Sequence, residues 1–243
     1  MTDVHITGGT GYLGRELQRL APGANVERVD VRDDAAVGAL LRRLHPRVVL
    51  HTAYRQEERE VNVAGSENVA RAAAAVGARL VHLSTDVVFD GRKGSPYVED
   101  DPTSPVTDYG RWKAEAEELV RAAHPDALIV RTSLIYAGAE PSKHELAAHE
   151  PSRTFFTNEI RSPVQVTDLA EALLELAALD VSGTLHVAGA DAVSRADFAE
   201  LLVRGPVRRA RAPATRPLDC SLDSSRARAM IRTRLRGVRE VLS

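Results

Sequence analysis

Short apolar runs at 4–6, 26–31, 48–51, 80–83 and 128–131 are separated by stretches of helical periodicity at 11–20, 35–44, 61–76 and 109–123. This alternation constrains the fold more than any other feature. Strands divided by helices of such length cannot pair as hairpins. They need crossovers, and right-handed crossovers build a parallel sheet with helices on its faces. Asp33 and Asp34 supply an N-cap for the second helix, which stops ahead of His45-Pro46.

Between the first strand and the first helix stands ITGGTGYLG, with Gly8, Gly11 and Gly14 at a spacing of three. Glycines in this position allow a tight turn, close approach of a pyrophosphate to backbone N–H groups, and close packing of helix on strand. An acid at the end of the following strand would hold the ribose hydroxyls of a dinucleotide, and Asp30 lies 22 residues beyond Gly8. The other reading is a glycine-rich turn without a ligand. The strand before and the helix after favour dinucleotide binding, and with it a Rossmann-type, doubly wound parallel sheet.

After about residue 140 the pattern loosens, punctuated by Pro141, Pro151, Pro163 and Pro206, with one clear helix at 167–179 and a short strand at 184–187. The expected organisation is a dinucleotide-binding domain over 1–140, to which 164–190 partly returns. A smaller C-terminal substrate lobe over 141–243 would lie above the carboxyl ends of the strands, where open α/β sheets bind ligands.

Bulk properties exclude several classes. No apolar run approaches a membrane span, no secretory leader is evident, and the one cysteine, Cys220, permits neither an internal disulfide nor a cysteine-rich metal site. A cytoplasmic protein without a metal centre is expected. The overall charge of −2 conceals an asymmetry, because residues 204–243 hold eleven arginines and three acids. That segment could meet nucleic acid, an anionic substrate, or the acidic body of its own chain.

A second motif, DYGRWK, sets Tyr109 and Lys113 four apart on one face of a helix. An ammonium near a phenol lowers its pKa, and a tuned tyrosine can protonate a carbonyl oxygen as hydride arrives at the carbon. Upstream, HLSTDVVFDG ends a strand with Ser84 and Thr85, whose hydroxyls are expected to bond that same carbonyl. Alone, a tyrosine–lysine pair is an ordinary solvated helix face, and two hydroxyls at a strand end are ordinary capping.

Taken in order, ITGGTGYLGREL, HPRVVLHTAY, VNVAGSENVARAA, LSTDVVFDG, PYVEDDPTSPVTDYGRWKAEAE, RTSLIYAG, SPVQVTDLAEALLEL, HVAGADAVSRADFAELL and RPLDCSLDSS resemble the extended short-chain dehydrogenase/reductase family, in its dTDP-4-dehydrorhamnose reductase-like, sugar-nucleotide-binding branch. The resemblance covers nearly the whole chain. It implies NADPH or NADH as cofactor and reduction of a ketone, in this branch a nucleotide-linked 4-keto-6-deoxysugar. It places the catalytic roles on Thr85, Tyr109 and Lys113, with Lys113 also touching the nicotinamide ribose. Cofactor contacts fall on Gly8, Thr10, Gly11, Tyr12, Leu13, Asp30, Arg32, Thr52, Ala53, Tyr54 and Ser84. Substrate contacts fall on Asp86, Val87, Leu134, Arg161 and Arg216, the two arginines facing a diphosphate. Family relatives are often dimers, so a homodimer is a possible state; neither nucleic acid nor membrane is an expected partner.

The chain departs from the family pattern in three places. Only one strand fits between the glycine helix and strand 48–51, where the family has two, so Asp30 and Arg32 serve a compressed adenosine pocket or mark its partial loss. The loop after Tyr54 is short. Val87 and Leu134 stand where the branch carries aromatic residues. An epimerase or dehydratase on the same fold, and a non-catalytic dinucleotide-binding regulatory subunit, are the competing functions.

Overall fold

A computed structural model describes residues 3–243. In chain order, β1 (Val4–Thr7) leads through α1 (Tyr12–Leu20) and α2 (Asp34–Leu44) to β2 (Val48–His51). α3 (Arg59–Asn62) and α4 (Ala64–Ala75) precede β3 (Arg79–Thr85), and α5 (Asp108–Ala123) precedes β4 (Leu128–Thr132). Then come β5 (Ile135–Tyr136), α6 (Lys143–Ala148), β6 (Thr154–Phe156), β7 (Ile160–Arg161), β8 (Val164–Gln165), α7 (Val166–Ala178) and β9 (Gly183–His186). β10 (Val193–Ser194), α8 (Arg195–Val203), β11 (Arg208–Ala210), α9 (Ser225–Met230) and α10 (Val238–Leu242) follow.

β1, β2, β3, β4 and β9 form one parallel sheet in that order. Successive side chains point to opposite faces, and both faces are covered. Ile6, Leu50, Val81, Val130 and Leu185 pack under α1 and α7. Val49, Leu80 and Ile129 pack under α2, α4 and α5. The chain is therefore an α/β protein of the Rossmann type. It is doubly wound: α1 returns the chain to the outer edge of β1 at Asn25, and α2 then carries it across the other face to β2.

Two expectations are corrected here. Residues 26–31 do not form a strand, although their short apolar run reads as one. Asn25 exchanges two backbone hydrogen bonds with β1, Ile6 N to Asn25 O at 2.9 Å and Asn25 N to Val4 O at 2.8 Å. Its side-chain oxygen then accepts from Glu27 N at 2.9 Å, which turns the chain off the ladder. The carbonyls of Val31 and Arg32 are taken instead by the Asn68 amide of α4. The helix expected over 61–76 is broken at Val63, where Ser66 Oγ bonds back to the Asn62 carbonyl at 2.7 Å.

The second lobe holds more helix than its sequence pattern suggests. α6 opens with a capping box, Ser142 and Glu145, and α8 with Ser194 accepting from Asp197 N. The arginine-rich C-terminal segment pairs with acids of the body: Arg226 with Asp100, Arg236 with Asp168, and Arg209 with Asp197 and Glu200. Among the described residues no helix is long and apolar enough to cross a membrane.

A buried ion pair fixes α5 against the sheet. Arg131 of β4 grips Glu117 of α5 through Nε at 3.0 Å and Nη2 at 2.7 Å, and Ser84 Oγ donates to the same carboxylate at 2.6 Å. Removing one partner strands a buried charge. Glu117→Ala is therefore expected to lower stability by about 3–5 kcal/mol, read from urea unfolding; a loss under about 1 kcal/mol would show the pair to be no more than a surface contact.

Candidate active site

The carboxyl ends of β1 to β4 open into one cleft of about 1410 Å³, which the glycine loop floors and α6 borders. At the end of β1 the chain turns through Gly8, whose φ of +73° suits glycine. A Cβ on Gly8 would lie 2.7 Å from Ala53 N, and one on Gly14 would lie 2.2 Å from the Gly8 carbonyl oxygen. Only glycine lets α1 approach so closely. Gly11 caps α1 without a side-chain hydrogen bond, so the first-turn N–H groups of Tyr12, Leu13 and Gly14 have no capping side chain as competitor for an anion. Thr10 lines the same loop, its carbonyl held by Arg15 at 3.1 Å; Arg15 in turn pairs with Glu140.

Further along the cleft stand Asp30 and Arg32, joined by a two-pronged ion pair, Nε–Oδ1 2.9 Å and Nη2–Oδ2 2.6 Å, both about half exposed. Bonding from Arg32 holds the Asp30 carboxyl down at about 2. At the end of β2, Thr52 Oγ1 donates to the Thr7 carbonyl at 2.7 Å, Ala53 sits beneath Gly8, and Tyr54 is exposed with its ring 6.2 Å from that of Tyr109.

Thr85 ends β3 and caps a short turn at Asp86–Val88. α5 starts one residue after Thr107, which accepts from Gly110 N, and so presents Tyr109 and Lys113 to the same cleft as Thr85. Burial raises the Tyr109 phenol well above its usual value, and Tyr54 and Asp86 add to the effect. Lys113 is buried, and its Nζ donates to the Leu83 carbonyl at 2.7 Å beside His82 Nε2 at 3.3 Å. Burial lowers its pKa to about 8. Two expectations change here. The lysine's described hydrogen bonds run to β3 and none to Tyr109, and burial raises the phenol pKa instead of the ammonium lowering it. Ser84 also lines the cleft, but its hydroxyl donates to Glu117 at 2.6 Å, so its proton is not directed to a carbonyl there.

At the substrate end, Asp86, Val87 and Leu134 line the cleft. Asp86 is buried and accepts from Ser133 Oγ at 2.6 Å. Arg161 and Arg216, expected on a diphosphate, do not line it. Arg161 is buried and donates to the carbonyls of Ile160, Pro217 and Leu218, with Asp86 3.6 Å away. Arg216 pairs with Glu159 and lies over the Phe156 ring at 5.0 Å. Sequence reasoning missed Lys143 and His144, which line the cleft from α6. Lys143 Nζ reaches Gln56 Oε1 at 2.9 Å and Tyr54 Oη at 3.3 Å across the opening. The capping box Ser142-x-x-Glu145 was the available signal for that helix.

Fold and cleft define an extended short-chain dehydrogenase/reductase, a class of NAD(P)-dependent oxidoreductases. The chain belongs to the RmlD substrate binding domain family, whose model matches residues 1–243. It is 36% identical to a dTDP-4-dehydrorhamnose reductase of Mycolicibacterium smegmatis, over 98% of this chain and 83% of that protein. It is 28% identical to the methionine adenosyltransferase 2 subunit beta of Rattus norvegicus, over 90% of this chain and 80% of that one. A crystal structure of the Bacillus anthracis dTDP-4-dehydrorhamnose reductase in complex with NADP superposes with a TM-score of 0.86 at 26% identity, covering 100% of this chain and 98% of the other.

The Lys113 environment is testable through stability. Its folded pKa of about 8 lies below the ordinary 10.5, so burying the ammonium opposes folding fully below pH 8 and progressively less up to pH 10.5. Lys113→Met lacks this penalty. Its stability relative to the parent, from urea unfolding, should be highest near pH 7 and fall as pH rises from 8 to 10.5. A difference that stays constant across that window contradicts the burial argument.

Proposed function

We propose that the chain is an NAD(P)H-dependent reductase of a ketone on a nucleotide-linked sugar, a 4-keto-6-deoxysugar or close relative. The observation that carries this reading is the meeting of Thr85, Tyr109 and Lys113 on one wall of a cleft that begins at an uncapped, glycine-cradled helix. The Gly8–Gly14 turn suits a pyrophosphate, since it presents the first-turn N–H groups of α1 to the cleft with no side-chain cap. Bound along the cleft, the nicotinamide supplies hydride to the ketone carbon.

Tyr109 gives its proton from Oη to the ketone oxygen. Burial keeps the phenol protonated, which suits a donor in the reductive direction. Thr85 Oγ1 orients the oxygen, and Lys113, one turn along α5, holds the cofactor ribose. Tyr54, Thr52 and Ala53 border the cofactor's central part. Asp86 and the aliphatic Val87 and Leu134 bound the sugar, leaving it a wider seat than aromatic rings would. Tyr109→Phe is expected to lower turnover about 10²-fold or more while cofactor affinity, measured by fluorescence titration, is retained. Unchanged turnover would remove Tyr109 from the chemistry.

The adenosine end supports use of either cofactor. Asp30 alone would repel a 2′-phosphate, but its charge is matched by Arg32. Arg32→Ala should uncover that charge and shift the ratio of kcat/KM towards NADH by about tenfold, the equivalent of one pKa unit of interaction. An unchanged ratio would place the selecting groups elsewhere.

A second reading, a dinucleotide-binding regulatory subunit, is favoured by the unladdered segment 26–31 along the adenosine pocket. The two readings part on turnover: a panel of nucleotide ketosugars with NADPH is consumed by the enzyme and left intact by the regulator.

A further inference from the structure

Three arginines, Arg161, Arg195 and Arg216, gather behind the substrate end of the cleft with two buried carboxylates, Asp86 and Glu159. Arg161 sits against Asp86, and Arg216 takes Glu159. Arg195 is left over. Among the described residues no carboxylate lies within ion-pairing distance of its guanidinium, and its one side-chain hydrogen bond runs from Nη1 to His144 Nδ1 at 3.4 Å. His144 itself lines the cleft. Burial holds that imidazole down at about 2, with Arg195, Lys143 and Arg153 adding repulsion, so it remains a neutral acceptor. Arg195 is also the first residue of α8, where the helix dipole disfavours a cation. Burial and Arg161 pull its pKa down to about 10, yet it remains charged at neutral pH. The fold thus keeps a surplus, poorly placed positive charge one side chain behind the cleft wall. A largely buried charge of this kind is compensated by a counter-charge; Asp86 and Glu159 act on it only from beyond ion-pairing distance, and each already serves another arginine.

We infer that Arg195, with His144 in front of it, is the anion site of the substrate end and takes the diphosphate of a nucleotide-linked substrate. The inference rests on the proposed reading of the substrate as a nucleotide-linked sugar. It assigns to Arg195 the role expected of Arg161 and Arg216, neither of which lines the cleft: Arg161 is bonded to the carbonyls of Ile160, Pro217 and Leu218, and Arg216 is paired with Glu159. A guanidinium suits this task, since its planar fork matches two phosphate oxygens at once.

The test uses protein saturated with NADP⁺, so that the glycine loop is occupied and cannot capture the probe. Inorganic pyrophosphate and dTDP are titrated calorimetrically into the parent, Arg195→Met and Arg195→Lys. The expected result is a loss of affinity for both probes of about tenfold or more in Arg195→Met, with partial recovery in Arg195→Lys, as charge-assisted contacts require. NADP⁺ affinity and Tm, measured alongside, separate lost binding from lost folding. If Arg195→Met does not fold, Arg195→Gln takes its place in the same titration. Equal affinity in parent and uncharged variant, or no binding by the parent, overturns the site. Arg195-dependent binding in a protein that reduces no nucleotide ketosugar keeps the site and rejects the reductase. Turnover with a KM indifferent to Arg195 keeps the reductase and rejects the site.

Discussion

Glu117 stands one helical turn beyond Lys113 and is locked between Arg131 of β4 and Ser84 of β3. The contact is dry, so its strength depends on geometry, and it tolerates little sliding of α5 along the sheet. That fixes where Tyr109 and Lys113 stand relative to Thr85, which ends the same strand that carries Ser84. The alternation of the strand does the sorting: Ser84 meets the ion pair, and Thr85, on the other face, lines the cleft. The ion pair thus sets the position of α5, whose Tyr109 and Lys113 line the same cleft as Thr85. His82, also on β3, extends this support by standing beside Lys113, and its own ring lies 5.2 Å from that of His51 on β2.

The opposite end of the cleft is governed by backbone contact. Gly14 leaves no room between α1 and the Gly8 carbonyl, and Gly8 leaves none above Ala53. From this tight corner the cleft runs in two directions, towards Asp30 and Arg32 and towards Thr85 and Tyr109. The segment from Gly138 to the start of α6 spans the opening: Tyr12 Oη accepts from Gly138 N at 2.7 Å on one side, and Lys143 reaches Tyr54 and Gln56 on the other. That segment is thereby tied to the glycine loop and the end of β2 by polar contacts, which are easier to rearrange than a packed core.

Much of this was legible in the sequence. Four of the five apolar runs and the short strand expected at 184–187 located the strands of the main sheet, and the glycine spacing and the DYGRWK motif located residues that line the cleft. What failed did so for identifiable reasons. The valines at 26, 29 and 31 make an apolar run of strand length, but the Asn25 side chain and the Asn68 amide outcompete a ladder for local backbone groups. Tyrosine and lysine at i and i+4 share a helix face, yet that spacing does not reveal that the Leu83 carbonyl claims the ammonium. Arg161 and Arg216 carried the right charge for a diphosphate, but their partners come from 217–218 and from Glu159, contacts made only on folding. Arg195, within HVAGADAVSRADFAELL, looks in the sequence like any helix-start arginine, because its lack of an ion-pair partner appears only once its neighbours have been paired in the fold.

The central claim is that hydride and proton meet a sugar ketone between the glycine-cradled cofactor site and Tyr109. Its most direct test is a single incubation with NADPH deuterated at the transferable position of C4 and a nucleotide-linked 4-ketosugar, read by mass spectrometry. The account predicts one deuterium on the sugar product for each NADP⁺ formed, located at the former ketone carbon. NADPH that binds but returns unoxidised, with the ketosugar unchanged, would contradict it.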